Sequence, residues 1–353
     1  MTTMESPVTK CPNCFVAVPV GTWGAPPQRG TRGRPDAPPA RPQECPNPAC
    51  RRPYPPGWLD ARSTCLVMAG ARTAGKSIFI AVMMKQLEQF GAAAGMEVSA
   101  ATPTVRETFQ THYLDPLYRE RGIMTPTRSS ANDDAYQSES LVFTLTTAHG
   151  VRHHLVIRDV AGEDLERPDG TTRERLSFFG HADGVFFLFD PLQIDEITHQ
   201  LRQLVPEQPL GRPAKEVLDT TVDLVSQGGP RFAVIMSKFD TMQKLRTVRY
   251  DNDYTAIMQN AGAAVFRDPG PYGSPNDIDG RLLHEEVRSL LILFNQGPLV
   301  AKIQHAGRGA HRFFAVSALG APPNGQMLHA QGIAPFRCLD PLRWVLGGTG
   351  VLG

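Results

Sequence analysis

Apolar residues along the chain fall into two spacings. Runs of strand length stand at 64–69, 140–147, 153–159, 184–189, 231–236 and 312–317, and stretches with helical spacing stand at 77–90, 193–204 and 281–295. The segments 185–189 and 232–236, and the Leu155-Val156-Ile157 core of another run, are apolar on both alternating faces. That is the pattern of central parallel strands covered on each side by helices. The alternation predicts an α/β fold, a three-layer sandwich around a mostly parallel central sheet. Segments 140–147 and 153–159 are expected to pair as a hairpin across Ala148-His149-Gly150. The pieces 92–138, 206–228 and 241–280 are long for connections in a compact domain and read as insertions, some of them helical.

Ahead of Trp58 the pattern breaks. Residues 15–44 alternate Pro, Gly and Arg with few large apolar side chains, which predicts a loop. Its two ends carry Cys11-Pro-Asn-Cys14 and Cys45-Pro-Asn-Pro-Ala-Cys50. Each pair places thiols in a tight turn, and four such sulfurs suit tetrahedral Zn²⁺. A long polar loop between the pairs is tolerated because closure entropy grows slowly with length. The chain therefore divides into a zinc-ribbon-like segment, 1–57, and an α/β domain, 58–353. Cys65 and Cys338 are solitary, and Cys65 reads as a strand residue of the core.

Charge changes the picture little. Over 353 residues, 36 Lys and Arg face 35 Asp and Glu, so no global field draws nucleic acid or anionic lipid. The first 57 residues are locally basic, but a zinc centre with four thiolates carries two net negative charges, which favours protein docking over nucleic acid there. No apolar run approaches the roughly eighteen residues of a membrane span, and residues 1–10 lack the order of a signal peptide, so the expected location is the cytoplasm. His149, His153 and His154 lie in or beside the expected hairpin and read as strand and turn residues.

The chemistry is concentrated at strand ends. Gly70-Ala71-Arg72-Thr73-Ala74-Gly75-Lys76-Ser77 fits G-x4-G-K-[ST] between a strand and a helix. Glycines let the backbone fold around phosphate, successive N–H groups face the anion, Lys76 neutralises the β and γ phosphates, and the Ser77 hydroxyl suits Mg²⁺. Asp159-Val-Ala-Gly162 places D-x-x-G at the end of a buried strand, a carboxylate for Mg²⁺ and a glycine N–H for the γ phosphate. Ser237-Lys238-Phe-Asp240 follows another strand. A carboxylate at 240 accepts from the N1–H and exocyclic amine of guanine, a donor pair that adenine lacks on that edge. Ser317-Ala318-Leu319 ends the last expected strand. The four boxes stand in order at the carboxyl ends of strands, where open α/β sheets bind ligands.

These boxes resemble those of P-loop GTPases of the translation-factor-related, Ras-like class, over about residues 60–350. The insertions, the ending Leu339-Asp-Pro-Leu-Arg-Trp344 and the cysteine segment are similar to bacterial double-GTPase-type proteins of multi-gene systems. Ser237 departs from the usual Asn or Thr. The resemblance implies GTP and GDP as ligands with Mg²⁺, Lys238 packing over the base, and the Ser317-Ala318-Leu319 backbone meeting the guanine oxygen. It implies a switch threonine before the 140–147 strand, Thr127 ahead of Thr125, and Glu163 where relatives carry the residue that orients attacking water. Glutamate there implies slow hydrolysis unless an arginine assists, from a partner or from Arg121 or Arg128 in cis. The expectation is a GTP-hydrolysing switch with an activator, an effector or a second GTPase as protein partner. The alternatives are a non-catalytic nucleotide-dependent scaffold and a zinc-ribbon nucleic-acid binder with a regulatory NTPase domain.

Overall fold

The apolar runs become the interior of one seven-stranded sheet. The computed structural model describes residues 9–18, 42–124, 139–166, 168–201, 204–205, 213–226, 228–247, 255–270, 277–306, 310–347 and 349–352. Strands β1 (Thr9–Lys10) and β2 (Ala17–Val18) form a small antiparallel pair. Strands β3 (Arg62–Gly70), β4 (Glu97–Ala100), β5 (Leu141–Thr146), β6 (Arg152–Asp159), β7 (Gly184–Phe189), β8 (Arg231–Met236) and β9 (His311–Ala315) build the sheet in the order β4-β5-β6-β3-β7-β8-β9. From β6 to β9 every pairing is parallel, while β5 runs antiparallel to both β6 and β4.

Burial explains the order. Every residue of β7 and all but the first of β3 are buried, so these strands can only stand in the middle, covered on both faces. The hairpin forms as expected: Thr146 pairs with Arg152, and Gly150 takes the left-handed conformation (φ 75°) that its turn requires. The helices are α1 (Lys76–Ala94), α2 (Pro103–Phe109), α3 (Gly162–Glu166), α4 (Gly170–Arg175), α5 (Asp195–Leu201), α6 (Ala214–Val225), α7 (Phe239–Gln243), α8 (Thr255–Met258), α9 (Asp277–Leu293), α10 (Gly297–Ala306) and α11 (Asp340–Leu346). None of them is long and apolar enough to cross a membrane.

Three differences from the sequence pattern have local causes. Strand β4 is a four-residue edge strand, too short to stand out as an apolar run. The helical stretch at 193–204 starts later, because Asp190 caps a 3-10 turn at Pro191–Gln193 and α5 begins at Asp195. The last strand stops at Ala315, two residues before Ser317, whose backbone instead exchanges hydrogen bonds with Phe336. The insertion after α1 holds β4, α2 and a π-helical stretch, Gln110–Arg119, with Pro116 inside it.

The cysteine segment is seated on the sheet. Thr9 Oγ1 donates to the Ala61 carbonyl at 2.7 Å, the Lys10 amide to Ser63 Oγ at 2.8 Å, and Trp58 Nε1 to the Lys10 carbonyl at 2.9 Å. Lys10 pairs with Asp183 at 2.5 Å, and Phe15, fully buried, meets Phe178 edge-on at 5.4 Å. His153 and His154 lie in β6 beside this seat, and His154 packs on it. His153 Nε2 lies 2.8 Å from Thr64 Oγ1, His154 stacks on Trp58 at 4.4 Å, and burial pushes both imidazoles down to about 4.

Candidate nucleotide cleft and metal knuckle

The carboxyl ends of β3, β6, β7, β8 and β9 share one edge of the sheet, and the four sequence boxes meet there. Gly70 closes β3 at φ 140°, and a Cβ on it would lie 2.5 Å from the Leu188 carbonyl oxygen on β7. Only glycine allows that approach. The loop then curls so that Lys76 Nζ donates to the carbonyls of Gly70 at 2.9 Å and Ala71 at 3.0 Å. Thr73, at φ 65°, carries backbone strain within the same curl. Lys76 is buried, and burial pulls its ammonium down to about 8 against the attraction of Asp159.

Ser77 Oγ donates to Asp159 Oδ2 at 2.6 Å, and the Tyr113 hydroxyl donates to the same oxygen at 3.2 Å. The other oxygen, Oδ1, is buried without a hydrogen-bond partner among the described residues. Burial raises the Asp159 carboxyl, opposed by Lys76, Ser77 and Tyr113. A hydroxyl already on a carboxylate whose second oxygen lacks a partner is a donor set that fits a hard divalent cation. Gly162 of the D-x-x-G box begins α3 directly against the phosphate loop, where any side chain would be driven into the Arg72 amide.

A cleft of about 470 Å³ runs from this loop to the ends of β8 and β9. At the far end Ser317 Oγ donates to Asp240 Oδ1 at 2.6 Å and in turn accepts the Gly320 amide at 2.9 Å. Burial raises the Asp240 carboxyl, with the Ser317 bond opposing. Ser237 Oγ donates to the Phe189 carbonyl at 3.1 Å, so it serves the strand end. Lys238, at φ 49°, pairs through Nζ with Asp190 at 2.7 Å. Ala318 and Leu319 line the same end.

The structure divides the remaining candidates. Glu163 is held by Arg72 of the phosphate loop at 2.5 Å, an ion pair the spacing did not foretell. Arg121 is exposed, bonded to the Ala330 carbonyl at 3.3 Å, and is not among the residues lining the cleft. Thr125, Thr127 and Arg128 lie outside the described residues. Tyr113 and Asp190 were missed. Asp190 had a signal, a carboxylate directly after the Phe186–Phe189 run, whereas Tyr113 sits in an insertion with no motif around it. A roof was missed as well: the Ile123 amide donates to the Gln326 carbonyl and the Leu328 amide to the Arg121 carbonyl, both at 2.9 Å, bringing Ile123, Met124 and Gln326 over the cleft.

The second centre is the cysteine knuckle. The sulfurs of Cys11, Cys14, Cys45 and Cys50 all lie within 4.8 Å of one another. Cys14 and Cys45 are 3.6 Å apart, Cys11 and Cys50 3.9 Å. Zinc–sulfur bonds of about 2.3 Å in a tetrahedron set sulfurs about 3.8 Å apart, whereas a disulfide needs about 2.05 Å. The four thiols thus fit zinc and are unbridged. Their crowding splits their acidities: hydrogen bonding from Cys11 pulls Cys14 down to about 4, while burial pushes Cys45 up to about 11. The knuckle reaches Asp159 through β6. Arg158, next to Asp159, has Nη1 3.4 Å from the Asn13 carbonyl oxygen and its guanidinium 4.7 Å over Phe178. Burial lowers the guanidinium to about 10.

No family model matches the chain. Among solved structures, the bacterial selenocysteine-specific elongation factor EF-Sec aligns with 80% of this chain at 11% identity, but the match spans only 28% of that factor, and its TM-score of 0.30 carries no argument. Sequence similarity reaches further. Over 309 residues the chain is 44% identical to SaeC of Mycolicibacterium smegmatis, provisionally named an ESX-1 scaffolding and assembly protein, covering 86% of this chain and 80% of that one. Identity of that order across most of both chains makes this protein a member of the SaeC family.

Proposed function

We propose that this chain is a guanine-nucleotide-dependent scaffold. Its cleft holds GTP or GDP with Mg²⁺, hydrolyses GTP slowly, and sets how protein partners dock in a bacterial multi-protein assembly. The observation that carries this reading is the meeting of four separated boxes on one cleft, with Lys76 and Ser77 at one end and the bonded pair Asp240 and Ser317 at the other. Ser77 and Asp159 would hold Mg²⁺, which screens phosphate charge, and Asp240 would read the guanine edge. Residues 1–57 act as a zinc-bearing docking module seated on the domain at 58–353, with Cys11, Cys14, Cys45 and Cys50 as ligands. A cytoplasmic place of action goes with this reading, since reduced thiols and nucleotide are both found there.

One observation favours a second reading, a scaffold that binds GTP without cleaving it. Glu163, in the position of a water-orienting residue, has its carboxylate engaged by Arg72. Phosphate release in single-turnover conditions separates the two.

The binding test uses fluorescent GDP, a non-hydrolysable GTP analogue and ATP. Asp240→Ala removes two hydrogen bonds to a charged acceptor, about 2–3 kcal/mol, so guanine nucleotides should bind roughly thirty- to 160-fold more weakly while ATP is unaffected. Equal binding of ATP and GTP by the unaltered protein would sink the guanine reading.

A further inference from the structure

The Asp159 carboxylate is held by two donors, of which the boxes supply only one. Ser77 comes with the phosphate loop; Tyr113 comes from the π-helical insertion, 46 residues before the carboxylate it touches. Tyr113 is 1% exposed, and its ring is clamped: Phe109 stacks on it at 5.6 Å and is itself met edge-on by Phe143 of β5 at 5.1 Å. Burial and the stacked Phe109 hold the ring with its hydroxyl on the carboxylate.

Both donors land on Oδ2. Two hydrogen bonds converging on one oxygen fix the plane of the carboxylate and leave the other oxygen as its open valence. That oxygen is buried and unpartnered among the described residues, and the Lys76 ammonium, the nearby charge, already gives hydrogen bonds to the Gly70 and Ala71 carbonyls. A carboxylate oxygen left so is costly unless a cation or its water completes it. We propose that Tyr113 is a positioning residue of the magnesium site, its hydroxyl holding Asp159 in the orientation that leaves Oδ1 for the cation. The inference rests on the nucleotide reading above, but concerns a residue that no box contains. Residues that orient a metal's carboxylate from behind commonly set metal affinity by an order of magnitude or more. π turns within helices are frequent at functional sites.

The alternative is that Tyr113 bonds Asp159 only because a buried phenol needs some partner. Tyr113→Phe separates the two, since it keeps the clamped ring and removes the hydroxyl. Affinity for fluorescent GDP is titrated against Mg²⁺, from chelator to saturation, in both proteins, with thermal melting as the check on folding. The expected result is a half-saturating Mg²⁺ concentration about tenfold higher in the variant, with unchanged affinity in chelator. An unchanged or tighter magnesium dependence, or an equal loss of affinity at every Mg²⁺ concentration, overturns the proposal. An unaltered protein that binds no guanine nucleotide, or binds it without regard to Mg²⁺, instead overturns the reading on which the proposal rests. Pairing the variant with Asp159→Asn adds an internal check: the effect of Tyr113→Phe on magnesium dependence should vanish once the carboxylate is gone.

Discussion

The phosphate end of the cleft and the cysteine knuckle both gather groups suited to a metal ion, yet they are held together differently. Lys76 and Ser77 line the cleft, Asp159 and Tyr113 are buried beside them, all four are held by hydrogen bonds within the chain, and one oxygen of Asp159 is left over among the described residues. In the knuckle, the sulfurs crowd one another at 3.6 and 3.9 Å, and the contacts that hold the segment, such as Ser140 Oγ to the Pro12 carbonyl, fall on its backbone rather than on the sulfurs. The first arrangement is written into the core of the sheet. The second depends on the ion that four thiolates would share, because without it the buried thiols keep their protons and lose the charge that draws the sulfurs together. The cleft should therefore keep its shape without ligand, and the knuckle should lose its shape without zinc.

The largest test of that contrast removes the zinc ligands. With Cys11 and Cys45 both changed to Ser, zinc bound to the purified protein should disappear and thermal stability should drop by about 5 kcal/mol. That is less than the roughly 10–16 kcal/mol of isolated zinc-finger peptides. The shortfall is expected because Thr9, Lys10, Phe15 and Trp58 stay packed on the sheet whatever the sulfurs hold. Undiminished melting behaviour with no zinc bound would erase the contrast. GDP affinity in the same protein measures whether Arg158 passes the loss on to Asp159, and a fall of no more than a few fold is expected through one long hydrogen bond.

The complementary test strikes the cleft. Lys76→Ala removes the buried cation proposed to meet the nucleotide phosphates and should cost at least about 3 kcal/mol, a hundredfold or more in GDP affinity. It also strips a donor from the Gly70 and Ala71 carbonyls, so some stability is lost too. Zinc content should not change. If it does, the two centres share more of their stability than their separate supports imply.

The same contrast explains what could be read from the sequence. The phosphate loop, Asp159, Asp240 and Ser317 were legible because each is a short contiguous box at a strand end, and the strands announced themselves by apolar runs. The four cysteines were legible as paired turns. The seating of the knuckle was not, because it rests on contacts such as Ser140 Oγ to the Pro12 carbonyl and Phe15 on Phe178, which join residues more than a hundred positions apart. Tyr113 was hidden because it reaches Asp159 across 46 residues from an insertion that carries no motif. The Asp190 to Lys238 and Glu163 to Arg72 pairs depend on side chains reaching across the strand ends, which spacing along the chain does not encode.

A smaller effect, at most tenfold per pH unit, distinguishes the cleft by its sign. In the nucleotide-free protein burial lowers Lys76 from an ordinary 10.5 to about 8. A bound diphosphate favours the charged ammonium, so the complex holds its proton to higher pH than the free protein does. Binding above pH 8 therefore takes up a proton, and GDP affinity should be flat below about 8 and fall as pH rises beyond it. Stability of the nucleotide-free protein should move the other way. An unfolded lysine binds more protons than the buried one between about 8 and 10.5, so this group's contribution grows as pH rises through that window and is lost as pH falls through 8. Fluorescent GDP titrations at pH values around 8, alongside melting of the free protein, read both signs. Asp240→Ala should bind more weakly throughout with the same fall above pH 8, because the base end contributes no cation to the phosphates. A pH profile that changes shape in that variant would mean that the two ends of the cleft do not act separately.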